Sequence, residues 1–195
     1  TISGNSSVNK GGGIAFITTS ATGKITIANT IVAGNTGPAA ANGPDISTFA
    51  ATVFTDNGNN LIGISNGIAG TPLKTSTTTF PDTYTMAGTA AAPLDPRLAP
   101  LANYGGTTRT MALLPDSPAL GRGPTLATAG VDQRGIARPS GAKADIGAFE
   151  SQGFSYVIDG GSGQSAQLMQ AFGSALVVRV VSNDPGLTNL SGVSI

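Results

Sequence analysis

The residues able to do acid, base or ionic chemistry are few and unevenly placed. Of the twenty Asp, Glu, Lys and Arg, eleven fall in one stretch: Asp95, Arg97, Arg109, Asp116, Arg122, Asp132, Arg134, Arg138, Lys143, Asp145 and Glu150. Glycoside hydrolysis needs two carboxylates across a cleft, roughly 5 to 9.5 Å apart, and a metal-assisted lyase needs clustered acids plus a base. Asp145 and Glu150 lie five apart, so on one extended strand they face opposite sides and form no catalytic pair. Asp132 and Arg134, at i and i+2, share a face, which suits a salt bridge that also bonds loop backbone. Between Thr1 and Thr55 the only acid is Asp45, so no carboxylate cluster lines that part of the chain. The expectation is therefore no catalytic residue and no metal centre.

The residue types that are missing narrow the chemistry further. The chain has no His and no Cys, which removes His-based triads, His and thiolate zinc sites, Cys nucleophiles and disulfides. Ten basic residues balance ten acidic ones at only 10% charged, which leaves no electrostatic footprint for nucleic acid or an anionic membrane. No apolar run reaches the ~18 residues of a membrane span. The glycine clusters at 11–13 and 160–163 read as turns or joints, not phosphate loops. Cofactors are expected to be none. Calcium is the one ion left open, through Asp45 or through Asp56 beside Asn57, although no D-x-D-x-D-G loop is present.

The elements that position these residues read as β throughout. The 195 residues include 28 Gly and are 39% apolar, which suits close backbone stacking, and no stretch has sustained helical periodicity. TISGN at 1–5 recurs as TIVAGN at 30–35 and more loosely as DNGNNLIG at 56–63. Aligning the asparagine turn positions Asn5, Asn35 and Asn60 gives steps of 30 and 25 residues, each one coil of a β-solenoid. Asn and Gly tolerate left-handed backbone at the bends, and stacked Asn side chains can bond from coil to coil as a ladder. β-favouring runs at 14–18 and 24–32 supply Ile14, Phe16, Ile25, Ile27, Ile31 and Val32 to the interior, together with Ile2. The alternative for this segment is an antiparallel sandwich with Gly/Asn hairpins. Thr-rich sequence from Thr75 to Thr79, with a turn at Pro81 and Asp82, marks 76–92 as an insertion or hairpin outside the coils.

From residue 94 the sequence becomes specific. It reads LDPRLAPLANYGGTTRTMALLPDSPALGRG at 94–123, VDQRGIARP at 131–139 and ADIGAFE at 144–150, after NLIG at 60–63. These motifs, in this order, resemble the C-terminal part of bacterial "choice-of-anchor Q" surface proteins, which are right-handed parallel β-helices. The resemblance spans roughly 30–150. It departs at Leu120-Gly121-Arg122, where the family pattern has an Asp soon after SPA, at Asn103-Tyr104-Gly105-Gly106 in place of NGG, and in a longer segment between NLIG and DP. It implies a bacterial protein at the cell surface or secreted, adhesive or fibre-forming. A solenoid's last coil leaves open backbone groups and an open core end. Asp132, Arg134, Arg138, Asp145 and Glu150 are accordingly read as a structural cap, with Leu113, Leu114, Ile146 and Phe149 plugging the core.

After Glu150 the composition shifts. FSYVI at 154–158 alternates, DGGSGQS at 159–165 is polar, and LVVRVV at 176–181 is a strand followed by an SNDPG turn. Residues 160–195 resemble the opening strands of a bacterial Ig-like repeat, a sandwich that needs about seven strands. Leu176, Val178 and Val180 would then lie exposed on strands available for addition to a neighbour. The expected organisation is coils over 1–75, the insertion at 76–92, final coils and cap over 93–150, a linker at 151–165 and the incomplete Ig-like segment at 166–195, as a fragment of a longer chain. The expected fold class is all-β: a right-handed parallel β-helix with a C-terminal cap and a partial Ig-like segment. The function expected is a non-catalytic extracellular structural or adhesive module. The alternatives are a subunit of a homopolymeric filament joined by strand addition, and a carbohydrate-active or glycan-binding β-helix. Partners are a second copy of the chain, or a surface glycan or protein, with no nucleic acid and no transmembrane segment.

Overall fold

The computed structural model of the protein describes residues 1–16, 24–37, 43–48, 54–69, 73, 84–125, 130–138 and 142–190. Among these, all regular structure is β: β1 (Ile14–Phe16), β2 (Ile25–Ile27), β3 (Ile31–Val32), β4 (Ile46–Thr48), β5 (Phe54–Asp56), β6 (Leu61–Ile62), β7 (Met86–Ala87), β8 (Phe154–Gly160) and β9 (Val177–Ser182). Strands β1, β2 and β3 each pair in parallel with the strand three further along, β4, β5 and β6, and β6 pairs in parallel with β7. Every strand pair among the described residues of 14–87 is parallel, which goes against the antiparallel hairpin alternative for this segment.

Register corrects the repeat alignment. Ile31 lies opposite Leu61 and Leu61 opposite Met86, while bridges from Ile2 to Val32 and Ser6 to Thr36 set the opening residues as a row before β3. The first two steps are therefore 30 residues and the next is 25. Asn5 and Asn35 stack, but Asn60 lies opposite Thr30, whose N–H donates to Asn60 Oδ1 at 2.9 Å. The left-handed corner residues are instead Asn29 and Asn59, with φ of 46° and 53°. Asn29 also ends β-structure inside the run expected over 24–32. The fourth row, β7, falls within 76–92, so that stretch is not wholly an insertion; the Thr75–Thr79 run and the Pro81–Asp82 turn lie outside the described residues.

Successive residues in a strand point to opposite faces, and here both faces are buried. Val32 and Ile62 join Ile27, Ile46 and Phe54 in one core, with Ile2, Ile14, Ile25 and Ala87 packed against it. Ile31 and Leu61 point the other way, into a second core with Ala99, Tyr104, Ala112, Leu113, Ala119, Ile146, Phe149 and Leu187. Residues 94–150 thus pack on the outer face of the β3–β6–β7 sheet. Leu113, Ile146 and Phe149, with Leu114 packed against them, fill that lateral core and do not plug the one that Val32 and Ile62 share. Fully burying each aliphatic side chain stabilises by about 1.5–3 kcal/mol, which is why two adjacent apolar residues recur in rows only two residues long.

β8 and β9 form an antiparallel two-stranded ribbon. The expected linker at 151–165 therefore contains the longest strand described. Phe154, Tyr156 and Ile158 share a face with Val180 and Val178 across the ladder. Tyr156, Ile158, Leu176 and Val178 are exposed on it. The turn after β9 returns to the lateral core, where Leu187 is buried. Pro185 and Gly186 lie against Gly105 and Asn103, so this end of the 166–195 segment is seated on the preceding region. Residues 191–195 lie outside the described set.

Candidate functional site

The charged residues singled out in the sequence converge at the junction between the lateral core and the ribbon. The turn at Asp132–Gly135 places the first pair: Asp132 Oδ1 accepts the N–H groups of Arg134 and Ile136 at 2.7 and 3.0 Å. The Arg134 Nε donates to Asp132 Oδ2 at 2.8 Å, and both side chains are wholly buried. Arg134 Nη1 donates to the Tyr104 carbonyl and, at 2.8 Å, to Asp184 Oδ1. Nη2 donates to the Glu150 carbonyl. The guanidinium carbon stands 3.6 Å from the centre of the Phe149 ring, a cation–π contact that lets the aromatic plug and the ion share one site. Asp184, in the turn after β9, is a member that sequence reasoning missed. Its signal was the Asn-Asp-Pro-Gly string, read only as a turn.

Arg138 and Glu150 form the second pair, Nη1 to Oε2 at 3.1 Å. Arg138 also donates to the carbonyls of Asp145 and Gly147, and Glu150 Oε2 accepts the Asp145 N–H at 2.9 Å. Residues 145–150 are not an extended strand. Gly147, at φ 103°, bends them so closely onto the first rows that a Cβ there would meet Ile31 Cδ1 at 2.9 Å. This bend returns Glu150 to Asp145 and overturns the opposite-face reading. Glu150 Oε2 is shared between the Arg138 guanidinium and the Asp145 N–H.

Asp145 differs from its neighbours. Oδ1 accepts the Gly121 N–H and Oδ2 the Ser151 N–H, each at 2.7 Å, and no guanidinium is seen bonding its carboxylate. Burial pushes its pKa up from 3.8 to about 6; the two N–H donors oppose this, the Glu150 charge adds to it and Arg138 subtracts from it. Asp132 goes the other way. Burial alone would raise it, but the Glu150 N–H, the Arg134 guanidinium and the N–H groups of Ile136 and Arg134 hold it below its ordinary value. A cavity of about 540 Å³ borders Asp145, with Leu120, Arg122, Lys143 and Phe154 in its wall.

The acids left open for calcium are engaged elsewhere. Asp45 Oδ1 accepts from the N–H and side-chain amide of Asn35, and Oδ2 from the Ile64 N–H. Asp56 Oδ1 accepts from Gly58, Asn60 and Thr85. These donors are the opposite of a cation's oxygen shell, and both carboxylates staple adjacent rows. Asn35 Oδ1 does the same for Asn5, accepting its N–H and side-chain amide at 3.1 and 2.9 Å. Among the described residues no group of three or more His, Cys, Asp or Glu is placed to hold a metal, and no helix is long and apolar enough to cross a membrane.

Three kinds of comparison set these features against known proteins. No protein-family model, curated protein or solved structure matches the chain. What stands is an all-β protein with parallel rows, a lateral core and a buried ionic junction.

Proposed function

We propose that the chain is a non-catalytic structural module: consecutive coils of a right-handed parallel β-helix, closed laterally by residues 94–150, in a bacterial protein at the cell surface or secreted. One observation carries this reading. Strands β1, β2 and β3 repeat in the same order as β4, β5 and β6, in parallel and at offsets near 30 residues. Parallel crossovers are right-handed in the great majority of folds, which supplies the hand. The surface placement rests on the motif resemblance, and the structural role is supported by the commitment of the junction's ionic groups to backbone and to one another. A sparsely charged, Thr/Ser/Asn/Gly-rich stack is a stiff spacer or display surface.

Two experiments test the reading. Displayed on a bacterial surface, the chain should leave acidic and neutral polysaccharides uncleaved, with neither new reducing ends nor unsaturated uronate products. Turnover abolished by Asp145→Asn or Glu150→Gln would establish the carbohydrate-active alternative instead. The filament alternative draws on the exposed face of the ribbon around Leu176 and Val178, with Val180 in the same row. Electron microscopy of native material showing fibres that are lost in Val178→Lys would establish that second role.

A further inference from the structure

Away from the junction, the lateral layer carries a cation that no carboxylate holds. Arg97, Arg134 and Arg138 are each paired with an acid. Arg109 is exposed, and its side chain meets no acid, carbonyl or ring among the described residues. The antiparallel bridge between Ala102 and Thr110 fixes the backbone next to it. There a cleft of about 410 Å³ is lined by Ser3 and Asn5 from the opening row and by Leu101, Arg109, Met111 and Gln133 from the lateral layer. That volume lies in the ~300–1,000 Å³ range of small-ligand sites. Among the described residues, Arg109 is the only charged side chain in its wall.

The polar groups of the wall are oriented in advance. The Asn5 side-chain amide donates to Asn35 Oδ1 at 2.9 Å and to the Ser3 carbonyl at 3.3 Å. Gln133 Nε2 donates to Thr108 Oγ1 at 2.9 Å and to the Arg109 carbonyl at 3.3 Å. Each amide spends its N–H groups inside the protein, so its oxygen, Asn5 Oδ1 or Gln133 Oε1, is left to accept from outside. Thr110, buried in the same wall, has a hydroxyl with no hydrogen-bond partner, a cost that a bonding guest would lift. Leu101, which is exposed, and Met111 add apolar surface.

We propose that this cleft binds an acidic sugar, a pyranose ring carrying one carboxylate, as in a polyuronate. The wall selects that chemistry. A free guanidinium recognises a planar carboxylate through two parallel N–H bonds. Two fixed acceptor oxygens require donor hydroxyls beside that carboxylate, and the Ser3 and Thr110 hydroxyls bond in either sense. Sulfate brings no donors to the amide oxygens, and a neutral sugar leaves the arginine unused. An added β-strand is a poorer guest. Ile2 spends its backbone groups on Ile31 and Ala33, so Ser3 faces the open side of the row, and its carbonyl is already taken by the Asn5 amide. The inference goes beyond the structural reading: the site binds without turnover, and the coils stack whether or not it is filled.

The test titrates the whole nitrogen-labelled chain by NMR with short oligomers of galacturonate, mannuronate and guluronate. The expected result is saturable shifts at the Ser3 and Asn5 N–H groups and the Gln133 side-chain amide with at least one of the three. The same oligomer as its methyl ester, and sodium sulfate, should leave those signals in place. Arg109→Gln should weaken binding by about 10–100-fold without moving the melting temperature, because the side chain it replaces is exposed and unpaired. The spectrum of the free chain reports the fold separately, so a failed titration is not confused with failed coils. No saturable shift with any oligouronate, equal affinity for the methyl ester, an Arg109→Gln variant that binds as the wild type does, or tighter binding of hexaglutamate overturns the proposal.

Discussion

Replacing Arg134 with alanine should be among the most damaging single changes in the chain. The guanidinium satisfies Asp132 and Asp184 at 2.8 Å each, caps the carbonyls of Tyr104 and Glu150 and covers the Phe149 ring. Its removal strands two carboxylates with no exposed side-chain surface. Breaking a buried pair by deleting one partner costs about 3–5 kcal/mol. At about 2–4 °C per kcal/mol for a chain of this size, the melting temperature should fall by roughly 6–20 °C. The contrast is Arg179→Ala, which breaks the pair with Asp159 on the ribbon's solvent side, where the side chains are 57% and 37% exposed. That change should leave the melting temperature in place. Urea melts of both variants, with Asp184→Asn alone and combined with Arg134→Ala, complete the measurement. If the junction acts as one unit, the double variant loses much less than the two single losses added together. An Arg134→Ala melt no worse than that of Arg179→Ala, or strict additivity with Asp184→Asn, would refute the reasoning.

Stability should peak in mild acid. Asp145, raised to about 6 in the folded chain, contributes fully below its unfolded value and loses that contribution as pH rises through 6, by about 3 kcal/mol at most. Asp132, lowered on folding, loses its contribution as pH falls below 3.8, so a thermal scan across pH should show its maximum near pH 4 and flatten on the alkaline side in Asp145→Asn. At the row corners, Asn59→Ala and Asn59→Gly both lose the side-chain bond to the Arg122 carbonyl, but only alanine also puts a Cβ residue without a local polar partner at φ 53°, so alanine should cost about 1 kcal/mol more than glycine in urea unfolding. Equal losses for the two would remove the left-handed corner as the reason for asparagine.

The repeat was legible in the sequence, but its phase was not. TISGN and TIVAGN are correctly spaced because the corner glycines Gly4 and Gly34 carry the same left-handed φ, 72° and 71°. The third match failed because asparagine does two jobs here. Asn29 and Asn59 turn the backbone, with the Asn59 amide also donating to the Arg122 carbonyl, while Asn5, Asn35 and Asn60 tie rows together through their side chains. Residue identity alone does not separate a backbone role from a side-chain one. The pattern that does is apolar: Ile31-Val32, Leu61-Ile62 and Met86-Ala87 are paired apolar residues, the mark of a strand buried on both faces. That pattern places the fourth row inside the stretch set aside as an insertion. It also requires a second layer outside the sheet, which residues 94–150 provide.

The clustering of Asp132, Arg134, Arg138, Asp145 and Glu150 followed from their types, since buried charge must find partners or give up its ionisation. The same rule, applied to the count, leads beyond them. Two arginines cannot neutralise four carboxylates, so at least one acid must be held by other means. The structure uses backbone N–H groups for Asp145, and burial raises its pKa further than those donors lower it. The fourth carboxylate, Asp184, arrives from a turn 34 residues beyond Glu150, and no local periodicity links the two. What ties them is the Arg134 fork, which has more donors than Asp132 can occupy and reaches the ribbon with the remainder. A segment whose composition reads as the start of a separate domain is thereby held at its turn by the ionic junction that secures the region before it.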